Sequence, residues 1–156
     1  MKAATLSDLK KELSIQNNEQ LIELCLRLGR FKKENKELLT YILFDSKSEA
    51  DYIKDIKAEM DILFDEINSA NLYWAKKSLR KILRNINKYS RYSNETTTAI
   101  ELLIYYCLKL KTSGIEFEKS AALKNLYDAQ IKKIKKEIAA MHEDLQYDYQ
   151  KKLNSL

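Results

Sequence analysis

The 156-residue chain contains no proline and only two glycines, Gly29 and Gly114. Sheets need turn residues every few positions, whereas glycine and proline break helices, so a chain almost free of both points to an all-α fold. Histidine is nearly absent as well, with His142 the single example. No HExxH, ExxH or CxxC pattern occurs, which leaves zinc and bundle-type di-iron sites unsupported. There is no Gly-rich phosphate loop and no G-x-S-x-G elbow, so P-loop, Rossmann and hydrolase chemistry have no motif to rest on. Paired acids such as Asp65–Glu66 and Glu143–Asp144 are sequence neighbours and diverge by about 100° on a helix, which suits a solvated face better than an acid/base pair. We therefore expect a non-enzymatic protein with no cofactor or metal.

Long apolar runs are missing too. The most apolar stretch, AIELLIYYCL, contains Glu101 and stops about ten residues on, too short to cross a bilayer. The N-terminal MKAATLSDLKKEL is charged from Lys2 onward and lacks the apolar segment of a signal peptide. The expected location is the cytoplasm. The two cysteines, Cys25 and Cys107, both sit in apolar runs and read as reduced core thiols.

What the chain does have is helical periodicity. A length of 156 residues suits one domain, 1–156, that buries about 68–70% of its unfolded surface. Capping signals open helices at Thr5 (with Asp8), Asn17 or Asn18, Ser48 (with Asp51) and Asn94, and Gly114 suits a left-handed helix terminus. Leu21, Leu24, Cys25 and Leu28 follow i, i+3, i+4, i+7 spacing. The pattern predicts six or seven antiparallel helices, as a bundle or a short stack of helix hairpins, ending in one long helix from about residue 118 to 153. On that last helix Tyr127, Ile131, Ile134, Ile138, Met141 and Leu145 form a heptad seam. The seam suits packing on the chain's own helices or pairing with a second copy as a homodimer, with residues 145–156 projecting or frayed.

Charge is strongly polarised. Residues 48–70 carry a net −5, whereas residues 71–93, NLYWAKKSLRKILRNINKYSRYS, hold seven Lys and Arg and no acid. At about 100° per residue the seven cations share an arc of roughly 140°, opposite Leu79, Ile82, Leu83 and Ile86. Lys77, Lys81, Arg84, Lys88 and Arg91 are the candidates to meet a nucleic acid or an acidic protein, with Trp74 or Tyr92 placed to stack on bases. An anionic membrane is a further partner for such a helix. Against this, Asp55, Glu59 and Glu66 of the preceding helix are expected beside Lys76 and Arg80, where they would neutralise part of the stripe.

Two resemblances add to this reading. LSDLKKEL followed by LIELCLRL resembles the helix pair of SAP-type DNA-binding motifs, but SIQNNEQ stands where that family has a Gly-containing turn and a basic residue, so its most specific part is missing. LIELCLRLGRFKKENKELLTYILF (21–44) with YWAKKSLRKILRNINKYSRYS (73–93) resembles a family of short, all-helical, functionally uncharacterised bacterial proteins. That resemblance implies a bacterial cytoplasmic protein and carries over no activity or site residue. The sequence thus suggests a helical interaction module capable of self-association, or alternatively a nucleic-acid-binding protein that uses helix 71–93.

Overall fold

A computed structural model describes residues 2–156, and every regular element among them is helical. Among the described residues there are eight α-helices: α1 (Leu6–Ser14), α2 (Asn18–Phe31), α3 (Lys33–Leu43), α4 (Glu49–Asp65), α5 (Leu72–Ser93), α6 (Thr96–Thr112), α7 (Ala121–Ala139) and α8 (Glu143–Asn154). Single 3-10 turns lie at Asp45–Lys47 and Phe117–Lys119. The contacts divide the chain into two compact units, Met1–Phe44 and Asp45–Leu156, where composition suggests one domain.

Local chemistry sets most helix starts. Thr5 accepts from the Asp8 N–H, Ser48 from the Asp51 N–H, and Asn17 forms a reciprocal capping box with Gln20. Asn94 does something other than expected: at φ 57° it ends α5 in the left-handed region, while Glu95 stands at the start of α6. Asparagine tolerates that conformation better than most residues, so it serves as a helix stop here. Gly114, at φ 73°, follows the end of α6 in the same way.

In the larger unit α6 is the central element and packs against α4, α5 and α7. Neighbours on several sides explain why AIELLIYYCL is apolar almost all round. Ile100, Leu102, Leu103, Tyr106, Cys107 and Leu110 are fully buried or nearly so. They meet Leu79, Ile82 and Ile86 of α5, Met60 and Phe64 of α4, and Leu123 and Ile134 of α7 in one core. Each such aliphatic side chain contributes about 1.5–3 kcal/mol when fully buried.

The long last helix of the sequence reading is two helices. After Ala139 the chain turns, and His142, in extended conformation, accepts from the Asp144 N–H to start α8. Gln146 Nε2 reaches back to the Met141 carbonyl at 2.7 Å and so satisfies the exposed end of the turn. The break lets α8 bury Tyr149 and Leu153 and bring Lys152 to Glu101 of α6. Within residues 145–156, α8 runs to Asn154 and buries Tyr149 and Leu153. The break also corrects the heptad seam. Ile134 and Ile138 are taken into the chain's own core, Ile131 and Met141 are half-buried, and Leu145 lies beyond the turn on α8.

Candidate functional site: two uncovered surfaces

The N-terminal unit has little core of its own. Tyr41 is its one buried hydrophobic residue among those described, and α1 and α2 bury none. α2 and α3 form a hairpin whose close point is Gly29, where an added Cβ would lie 3.2 Å from Leu39 Cδ1. Asn35 Nδ2 donates to the Leu28 carbonyl at 2.8 Å and fastens the same turn. On α2, Gly29 lies about 90° around the helix from the Leu21–Leu24–Cys25–Leu28 stripe. The hairpin contact therefore leaves that stripe open: Leu24 is 39% exposed and Leu28 58%, and Phe31 one turn on is 76% exposed. Leu6, Leu9 and Leu13 of α1 share this condition. Cys25 is exposed as well, which corrects its reading as a core thiol. The periodicity was sufficient to give α2 an apolar face, but nothing within the described unit covers it.

The second surface is the basic arc of α5. Lys77, Lys81, Arg84 and Arg91 project into solvent, and neither they nor Lys76 and Arg80 make an ion pair among the described residues. Lys88 is half-buried, with its ammonium 4.8 Å from the centre of the Tyr89 ring. Tyr73, Lys76, Lys77, Arg80 and Arg84 line one depression of about 230 Å³ with no acid in its wall. Tyr73 is 72% exposed there and meets Trp74 edge-on, and Lys77 sits 5.2 Å over the Trp74 ring. Tyr92 lies at the far border beside Tyr89, half-buried, and is not part of the depression.

Among the described residues Asp55, Glu59 and Glu66 make no ion pair with Lys76 or Arg80, and for Glu59 geometry gives the reason. Glu59 accepts from the Tyr89 hydroxyl at 2.9 Å and from Asn85 Nδ2 at 3.4 Å. At about 100° per residue, Asn85 and Tyr89 lie on the border of α5 that carries Trp74 and Tyr92, away from Lys76 and Arg80. The border with Lys76 and Arg80 also holds Asn87, and there Lys133 of α7 donates to Asn87 Oδ1 at 2.9 Å. A cationic helix thus flanks the side where acids were expected. Sequence reasoning placed Tyr73 among the cations but set Lys76 and Arg80 aside as neutralised and missed Lys133, because spacing along a helix does not say which border a neighbour occupies.

Two acids in the larger unit, Glu101 and Asp61, tie helices together. Glu101 of α6 receives Lys57 of α4 at 3.0 Å and also pairs with Lys152 of α8. Burial raises its carboxyl, but hydrogen bonds from Lys152 and Lys57 outweigh that and hold it below the ordinary range. Asp61 is also lowered, first by the hydrogen bond from the Tyr105 hydroxyl and then, against some burial, by Lys109. Burial pushes the Cys107 thiol up to about 12, which keeps it protonated and unreactive.

Comparison with protein-family models, curated proteins and solved structures finds no match. Among the described residues no helix is long and apolar enough to cross a membrane.

Proposed function

We propose that the protein is a non-enzymatic helical interaction module, acting in the cytoplasm, that self-associates through its N-terminal unit. The observation that carries this is the open apolar face of α1 and α2. Leu6, Leu9 and Leu13 of α1 and Leu24, Leu28 and Phe31 of α2 are all exposed, and apolar side chains gathered on exposed helix faces mark interaction sites.

A second copy is the occupant this surface fits. A unit of this size with one buried hydrophobic residue, and with Cys25 free rather than in a disulfide, has the core deficit that small domains make up by oligomerising. Its charges do not oppose a symmetric pairing, since residues 1–44 hold eight basic and six acidic side chains, interspersed on all three helices. A self-complementary two-fold contact then needs no other component.

Co-expression of a tagged and an untagged copy tests this. The untagged chain should co-purify with the tagged one, and Leu24→Glu/Leu28→Glu in both should abolish that. Failure of the wild-type copies to co-purify overturns the proposal. So does retention by the double variant, because both leucines are exposed in the single chain.

A further inference from the structure

We infer that the α5 depression and the adjoining edge of α7 form a binding surface for single-stranded nucleic acid. This surface lies within Asp45–Leu156 and is independent of the apolar face of α1 and α2.

Three observations favour that ligand class. First, the wall of the depression supplies Lys76, Lys77, Arg80 and Arg84, none of them engaged by an acid among the described residues. Backbone phosphates a few ångströms apart are the polyanion such a row can follow, with release of condensed counterions driving association. Lys133 lengthens the cationic track onto a second helix, with Glu137 the acidic side chain nearest it along that border of α7. The N-terminal end of α5 adds the positive pole of its helix dipole, with no acid in the first turn to cancel it.

Second, Tyr73 is a largely exposed aromatic within the cationic wall, and Trp74 is half-exposed beside it. Unpaired bases stack on such rings, whereas the bases of a duplex are already stacked on each other. Third, α5 cannot act as a membrane-surface helix, because insertion needs its apolar face. Leu79, Ile82 and Ile86 of that face are buried in the core.

The test is fluorescence anisotropy of the full chain with a labelled oligothymidylate, a matched duplex, and phosphatidylserine vesicles as competitor. With about four phosphates neutralised, single-strand affinity should fall about 50-fold between about 50 and 200 mM salt. Arg80→Glu/Arg84→Glu should weaken it at least about tenfold. Tyr73→Ala should weaken it about fivefold or more while Tyr73→Phe binds like wild type, since stacking needs the ring and not the hydroxyl. Lys124→Glu, on the far side of α7, should leave affinity unchanged. The inference is overturned by no binding at the lowest salt, by tighter binding of the duplex, or by displacement in which vesicles are the better ligand. Wild-type affinity in the arginine variant, or equal loss in Tyr73→Ala and Tyr73→Phe, also overturns it.

Discussion

Gly29 of α2 lies against Leu39 of α3, close enough that a Cβ on Gly29 would meet Leu39 Cδ1 at 3.2 Å. A glycine inside a helix costs about 1 kcal/mol relative to alanine, so its place in the middle of a hairpin contact has a packing reason. Gly29→Ala asks the end of a flexible leucine to move by a few tenths of an ångström while gaining helix propensity, and should leave thermal stability and self-association within about twofold of wild type. Gly29→Leu cannot be absorbed in this way. It should push α3 off α2 and weaken self-association about tenfold or more, read by analytical size exclusion, while the melt of the larger unit stays in place.

The two cysteines should behave oppositely toward a thiol reagent. Cys107 is buried with its thiol pushed up to about 12, and should react only as fast as the larger unit unfolds. Cys25 is exposed in the single chain and sits in the stripe assigned to the second copy. Its labelling should be slow in concentrated protein and accelerate on dilution. A rate for Cys25 that ignores protein concentration would mean that no partner covers α2.

Much of this fold was legible because it is local. Thr5, Asn17 and Ser48 start helices where capping chemistry says they should, and Gly114 takes the left-handed conformation its lack of a Cβ permits. The break after Ala139 was not legible, since Ala139, Ala140 and Met141 are good helix formers. Tertiary burial of Tyr149 and Leu153 decides it, with the Lys152–Glu101 pair added. The basic arc was visible in the spacing of α5, but the neighbour at each border was not. A 2.9 Å hydrogen bond from Lys133 to Asn87 puts a lysine of α7 at the border where acids of α4 were expected. Likewise, the i, i+3, i+4, i+7 stripe of α2 announces an apolar face without saying whether the same chain covers it.

Glu101 joins α4, α6 and α8 through Lys57 and Lys152, and this gives an acid-dependent contribution to stability. Its folded-state pKa lies below the ordinary 4.5, so the contribution is fully present above that value and is lost as pH falls through the depressed pKa. Glu101→Gln should cost about 1 kcal/mol at neutral pH, modest because the Lys152 end is half-exposed. Urea melts should show the variant and wild type converging as pH drops below about 4. Amide exchange should quicken first in α8, which loses its tie to α6.

Tyr106 is fully buried, and its hydroxyl has no hydrogen-bond partner among the described residues. An unsatisfied buried hydroxyl is destabilising, so Tyr106→Phe should raise stability by about 1 kcal/mol. Tyr106→Ala should lower it by about 3–5 kcal/mol through the cavity left beside Phe64. Chemical denaturation of both variants measures the two effects. A loss of stability in Tyr106→Phe would show that the hydroxyl is engaged.

Sedimentation equilibrium of the full chain over the micromolar range tests self-association most directly. The open apolar face of α1 and α2 predicts a mass twice the 18.3 kDa of one chain, with Leu24→Glu/Leu28→Glu returning it to a single chain at unchanged helicity. A wild-type mass of 18.3 kDa at every concentration would contradict the account.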